Sequence, residues 1–347
     1  MRKIRIAVLF GGVSGEHEVS CLSAVSILSN LNSQRYEVLP IGISKNGRWF
    51  LQPAWDGRPL AVAEPGLGTV AVVPGAGLTV AGAPLPVDVV FPIAHGIQGE
   101  DGKLQGLLAC AGLPYTGAKV LASAVGMDKD VTKKLWEREG LPVVPWLVLR
   151  EDALGEAHDA YERAAAKLGL PLFVKPANSG SSVGVAKVND AAQFAAAVRA
   201  ALAVDAKVMV EAAVDAREIE VAVMGSSRPR AYGPGEVVPT HEFYDYDAKY
   251  VDPDGAALVI PPDLPADVTR RVLELAAKAY GALETEGFAR VDFFVARQGG
   301  GLWLNEINTL PGFTTISMFP RMAMSGGMTY PEVLDAIVDQ ALPPFQK

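Results

Sequence analysis

The stretch Arg290–Gly312, RVDFFVARQGGGLWLNEINTLPG, places two apolar runs on either side of a triple glycine, the pattern of a β-hairpin. Three polar side chains interrupt it: Asp292 on the first arm, Glu306 and Asn308 on the second. A hairpin symmetric about Gly299 sets Asp292 opposite Glu306 and Arg290 opposite Asn308, with Phe294/Leu304 and Ala296/Leu302 continuing that face toward the turn. Strand alternation puts the four polar groups on one face, and directly opposed side chains have Cβ atoms roughly 4.5–5.5 Å apart. Two carboxylates that close repel each other. A hard divalent cation removes the repulsion, because magnesium takes oxygen ligands: usually one or two carboxylates, with waters and phosphate oxygens. Asp292, Glu306 and Asn308 therefore form a candidate all-oxygen half-shell with room for a nucleotide. In the competing reading the two carboxylates pair with Arg290 or a distant lysine on a solvated edge. A bulge at the glycines would slip the register and break the argument.

The composition around this hairpin narrows the classes. Half of the 347 residues are hydrophobic and 20% are charged, enough for a sizeable core and two or three domains. The net charge of −8 argues against a nucleic-acid partner, which needs a basic face, but a few local lysines suffice for a nucleotide. Two cysteines, Cys21 and Cys110, fit a reducing compartment rather than a disulfide framework, so a cytoplasmic location is expected. MRKIRIAVLFGG reads as a first strand, not a signal peptide. No run of about 18 apolar residues suggests a membrane span.

Along the chain, Ile4–Phe10 is a buried strand, Glu16–Leu31 has helical apolar spacing, and Tyr36–Ile43 is again strand-like. This β-loop-α-β order opens a doubly wound α/β domain. Gln52–Gly68, rich in Pro and Gly, is expected to cross the surface. Val87–Ala94 is a strand and Leu104–Ala111 a helix, and a first boundary falls near residue 120. A small α+β unit follows. Its helices are Asp128–Gly140, Ala157–Leu168 and Ala191–Leu202; its extended segments are Pro142–Leu149, Pro171–Lys175, a second strand closing the Gly/Ser turn SGSSVGVAKV, and Lys207–Glu211. The remainder begins with the strand Glu218–Met224. It then holds the loop HEFYDYDAKY, a helix after Pro265, the hairpin and a last helix, Tyr330–Ala341.

KPANSGSSVGV, Lys175–Val185, sets a lysine at a strand end before a Gly/Ser loop. Backbone N–H groups and hydroxyls of such a loop can wrap phosphate oxygens. It is not a Walker A motif, lacking GK[ST] and a following helix. Lys129 and Lys249 could add charge. Val210–Val214 could be a segment between domains that reads an adenine edge through its backbone, and Glu218 could take ribose hydroxyls. Each of these alone fits an ordinary turn or a solvated charge. GGVSGE after the first strand is not the dinucleotide fingerprint, which disfavours a nicotinamide dehydrogenase.

The order of these features resembles the ATP-grasp superfamily. GGVSGEHEVS, HGIQGEDGKLQG, PYTG, MDK, KPANSGSSVGV, FYDYDAKY, ARVDFF and NEINTLPGFTTISMFP together resemble the D-alanine–D-alanine ligase family over essentially the whole chain. The resemblance implies a mixed α/β and α+β architecture of three domains. These are an N-terminal doubly wound, Rossmann-like substrate domain (1–120), a central ATP-grasp unit with the phosphate loop (121–215) and a C-terminal unit with metal and catalytic residues (216–347). It implies ATP as co-substrate, two Mg²⁺ ions (Mn²⁺ as an alternative), D-alanine as substrate and a homodimer. It also implies an acyl phosphate on the first D-alanine that the second amine attacks.

By motif, Glu16 would hold the first ammonium, with His95 and Arg290 by its carboxyl. Ser181 and Tyr250 would join Glu16 in a hydrogen-bonded lid. Lys129, Lys175 and Lys249 would contact phosphates. Glu211 and Val214 would meet adenine, and Glu218 the ribose. Asp292, Glu306 and Asn308 would hold metal, and Gly312 and Ser317 would receive the second substrate. Readings left open are a D-alanine–D-lactate ligase, another ATP-grasp carboxylate–amine ligase, and a non-catalytic ATP-binding module. The intact YDYDAKY favours the dipeptide.

Overall fold

A computed structural model describes residues 2–150, 157–181, 183–239 and 256–342. Lys249, Tyr250 and the loop expected to act as a lid lie outside the described residues. Among the described residues the strands form three sheets.

The first sheet is built on β1 (Ile4–Gly11), flanked in parallel by β2 (Tyr36–Ile43) and β7 (Val89–Pro92). Ile6, Val8 and Phe10 face a core shared with α1 (His17–Asn30), while Ala7 and Leu9 face α2 (Lys103–Cys110). Burial on both faces is why β1 reads as an unbroken apolar run. The doubly wound portion is confined to these three strands. An antiparallel meander extends the edge: β3 (Trp49–Leu51), β4 (Gly68–Val73), β5 (Gly77–Val80) and β6 (Ala83–Leu85). The sequence reading assigned no strands there.

Helices α3 (Val120–Met127) and α4 (Lys129–Arg138) lead into an antiparallel sheet of order β10-β9-β11-β8. Its strands are β8 (Trp146–Arg150), β9 (Leu172–Pro176), β10 (Ala186–Val188) and β11 (Lys207–Ala212). Helices α5 (Ala157–Leu168) and α6 (Ala191–Leu202) cover one face through Ala160, Ala164, Phe194, Ala197 and Ala201.

The third sheet orders β14 (Ala256–Val259), β13 (Arg230–Pro239), β12 (Ala216–Met224), β15 (Phe288–Ala296) and β16 (Leu302–Asn308). On β12, Ile219, Val221 and Val223 pack under α7 (Ala266–Ala282). Glu218 and Glu220 alternate to the other face, where both line a cavity. Beyond the hairpin come α8 (Met318–Ser325) and α9 (Tyr330–Ala341), the latter opened by a Thr329/Glu332 capping box. Helix α9 packs back on the first sheet, where Tyr36 donates to Asp335 at 2.5 Å.

The hairpin register matches the expectation at its open end and departs from it toward the turn. Arg290 faces Asn308 and Asp292 faces Glu306, but Phe293 faces Leu304 and Val295 faces Leu302. The expected pairs Phe294/Leu304 and Ala296/Leu302 are therefore wrong. The cause is an extra residue, Asn305, not a bulge at the glycines. Leu304 and Ile307 both sit in the core under α7; three residues apart, they can share a face only across a bulge. Burial of Leu304 thus selects the kink that leaves Glu306 on the polar face.

Candidate active site

The second and third sheets meet α1 and the loop after β7 around a cavity of about 740 Å³. Every candidate residue within the described residues lines it: Glu16, His95, Lys129, Lys175, Ser181, Glu211, Val214, Glu218, Arg290, Asp292, Glu306, Asn308, Gly312 and Ser317.

At the hairpin end, the Arg290 guanidinium donates to both Asp292 oxygens, Nε and Nη2 each at 2.7 Å. It also reaches Glu220 at 3.2 Å. Burial works against the Arg290 charge, but Asp292 and Glu220 outweigh it and hold the guanidinium firmly protonated. Glu306 pairs with Lys129 at 3.2 Å. Both carboxylates thus have the cationic partners of the competing reading, and they also keep the row that the metal reading needs. β12 extends that row, because Glu220 is the cross-strand neighbour of Asp292. Two carboxylates and the Asn308 amide are all hard oxygen donors, on adjacent strands at the wall of a cavity, and so fit a divalent cation.

The lysines converge from two elements. Asp128 caps α4 by accepting from Val131 N at 3.1 Å. The Lys129 amide bonds to Ala177 O at 3.1 Å, which seats the helix start beside the end of β9. Lys129 Nζ then donates to Ser179 O at 2.5 Å. Lys175 lies buried beside Glu211, and burial followed by the Lys129 charge pushes its ammonium down to about 8, with Glu306 opposing. At the end of β11 and the start of the hinge, Ala212 N and Ala213 N bond to Pro145 O and Pro171 O, both at 3.1 Å. Those two amides are therefore already engaged.

At the opposite wall Ser181 Oγ donates to Glu16 Oε1 at 2.5 Å, joining the Gly/Ser loop to the first domain. Ser181 adopts φ +50, the left-handed region that side chains disfavour. Ser181→Ala should keep this strain and lose the bond, whereas Ser181→Gly loses the bond and relieves the strain. Urea unfolding should find the alanine variant less stable by about 1 kcal/mol. Gly96, at φ +75, leaves room for the same carboxylate: a Cβ there would stand 2.8 Å from Glu16 Oε2.

His95 is buried, with Nδ1 donating to Leu310 O at 3.1 Å and Nε2 facing Ser23 Oγ at 3.2 Å. Burial would lower its pKa, but Glu100, 3.4 Å away, reverses this and leaves the imidazole raised. Gly312 and Ser317 adjoin: a Cβ on Gly312 would meet Ser317 Oγ at 2.8 Å. That hydroxyl accepts from Thr314 N at 2.9 Å.

Sequence reasoning missed Glu220, Glu100 and Lys133. Glu220 had a signal, because Glu218-Ile-Glu220 alternates on a strand whose first glutamate was already singled out. Glu100 lay within the quoted HGIQGEDG loop. Lys133, in a charged helix, had none.

Known proteins resemble this chain in sequence and in fold. The family model "D-ala D-ala ligase N-terminus" matches residues 5–118 and "D-ala D-ala ligase C-terminus" matches 135–339. The chain is 49% identical to D-alanine–D-alanine ligase A of Chromobacterium violaceum, over 99% of this chain and 96% of that protein. It is 44% identical to D-alanine–D-alanine ligase of a Thermoanaerobacter species, over 99% and 97%. Among solved structures, the D-alanine–D-alanine ligase of Coxiella burnetii superposes with a TM-score of 0.87 at 37% identity, covering 98% of this chain and 94% of the other. The VanG D-Ala:D-Ser ligase of Enterococcus faecalis gives 0.88 at 33%, covering 98% and 100%.

Proposed function

The chain belongs to the D-alanine–D-alanine ligase family, and we propose from this premise how its residues divide the work of joining two D-alanines with ATP. The observation that carries the proposal is the convergence of the candidate residues on one cavity. Residues 1–120 form the substrate domain; 121–215 and 216–347 form the two halves that hold ATP.

A carboxylate is a poor electrophile, and transfer of the γ-phosphoryl group gives it a leaving group. Most of the catalysis is then positioning and charge neutralisation. Glu16, steadied by Ser181, takes the ammonium of the first D-alanine, and His95 lies by its carboxyl. Lys129 and Lys175 hold the triphosphate, with Lys249 beside the γ-phosphate and Tyr250 joining the lid. With two hinge amides engaged, adenine recognition falls to Val214 and the hinge carbonyls, and Glu218 takes the ribose. Two magnesium ions bound by Asp292, Glu306 and Asn308 would neutralise the phosphate oxygens. The second D-alanine sits at the Gly312 backbone and Ser317. Its amine attacks the acyl phosphate, Arg290 stabilises the oxyanion, and phosphate leaves.

The product, D-alanyl-D-alanine, serves peptidoglycan precursor synthesis. The enzyme works in the cytoplasm as a homodimer. Among the described residues no helix is long and apolar enough to cross a membrane.

Incubation with ATP, Mg²⁺ and D-alanine should yield D-alanyl-D-alanine and ADP; absence of the dipeptide rejects the proposal. D-Serine and D-lactate belong in the same assay, because one structural relative is a D-Ala:D-Ser ligase. Lys175 binds phosphate only while protonated, and its pKa is pushed down to about 8. kcat/KM for ATP should therefore be full below that pH and decline above it. Lys175→Arg, which stays charged, should abolish the decline. A flat profile in the unaltered enzyme would contradict the role given to Lys175.

A further inference from the structure

Beneath the cavity floor lies a group that no step above uses. Lys133 is wholly buried, one helical turn after Lys129 on α4. Its Nζ donates to Val144 O at 3.0 Å and pairs with one oxygen of Glu211. The other Glu211 oxygen pairs with Lys175. The segment around Val144 is itself anchored on both sides. Pro142 O accepts from Leu304 N on the metal hairpin at 2.8 Å, and Pro145 O accepts from the hinge residue Ala212.

We propose that Lys133 is a positioning residue for ATP: through Glu211 it holds Lys175 in place and leaves that lysine with charge to offer the phosphates. The inference rests on the nucleotide-binding reading above and deepens it. Two arguments support it. Each lysine takes a different oxygen of Glu211, so the carboxylate is divided between two donors and is not spent on Lys175 alone. Without Lys133 as a donor, both oxygens of Glu211 would be left to Lys175, in a buried setting where such pairing is strong. Burial and the Lys175 and Lys129 charges push the Lys133 pKa down, so its grip on Glu211 and Val144 O is that of a hydrogen-bond donor. Lys133 also ties together the three elements that contact the nucleotide. It stands on the helix of Lys129, reaches the strand that leads into the hinge, and through Glu211 reaches the strand of Lys175. The side chain of Glu211 thus faces inward and serves the phosphate side, apart from what its neighbours do for adenine.

The test compares KM for ATP, KM for D-alanine and kcat in the full-length enzyme, its Lys133→Met and Lys133→Gln variants, and the same changes in a Glu211→Gln background. Lys133→Met should raise KM for ATP at least about tenfold and move KM for D-alanine less than about twofold. If Lys133 acts through Glu211, the two substitutions are non-additive: in the Glu211→Gln background, Lys133→Met should change KM for ATP little further. A merely structural lysine would instead lower the melting temperature and affect both substrates alike. Lys133→Gln keeps a donor for Val144 O without the charge and is judged by the same criterion. Should neither single variant fold, the double variant against Glu211→Gln alone gives the answer: no further rise in KM for ATP supports the proposal. An unchanged KM for ATP in either single variant, or full additivity, overturns it. Dipeptide formation by the unaltered enzyme is measured in parallel. Its absence would sink the functional reading, and its presence with indifferent Lys133 variants would sink only this inference.

Discussion

Glu306→Gln is expected to lower kcat far more than the roughly 10–100-fold that losing a supporting group behind a metal ligand costs. The substitution changes an oxygen to an amide nitrogen without changing shape. It removes one of two facing carboxylates and the partner of Lys129. The pair with Lys129 is part-exposed, so its loss should cost stability no more than about 1 kcal/mol, and relief of the Asp292–Glu306 repulsion works the other way. The variant should therefore melt near the unaltered protein and still be inactive. Magnesium titration followed by nucleotide affinity gives a second readout: saturation should need far more metal. A near-normal rate at ordinary magnesium would leave Glu306 a structural role, its ion pair to Lys129 included, and would remove the metal role.

The second large effect is at Arg290. Arg290→Lys keeps the charge but loses the planar fork that takes both oxygens of Asp292 while reaching Glu220. An ammonium is a point charge and cannot reproduce that geometry. Turnover should fall about 10²–10³-fold, the cost of removing one preorganised oxyanion donor, while the fold survives. Arg290→Met goes further. It leaves Asp292 and Glu220, cross-strand neighbours in a mostly buried row, without their shared cation, and should destabilise by about 3 kcal/mol. Denaturant midpoints separate the two variants. Were the lysine variant to keep more than a tenth of the rate, the oxyanion role would pass to another group.

Much of the architecture was legible because periodicity and punctuation agree. Tyr36–Ile43, Ala157–Leu168, Ala191–Leu202 and Tyr330–Ala341 have the bounds read from the sequence. Each has a run of the right period between clear breaks. The meander β3–β6 and the strand Arg230–Pro239 did not stand out. They are short, or are broken by Gly-Pro, and pairing with the strands next to them supplies their hydrogen bonds. Propensity counts for less there than pairing. Asp292 and Glu306 were found because charged residues on an apolar hairpin conflict with local expectation, and such conflicts mark sites. Glu220 and Lys133 sit where charge is unremarkable, on a strand with polar alternation and in a charged helix.

By itself, then, the sequence determined the strongly periodic strands and helices, and that two acids must oppose each other across one hairpin; both follow from spacing along the chain. Tertiary structure alone decided that the hairpin kinks at Asn305, because Leu304 is drawn into the core under α7. It alone decided that Lys133, outwardly one more helix lysine, is buried against Glu211. A charge becomes structural only when a neighbouring element removes its water, and that neighbour lies far away in sequence.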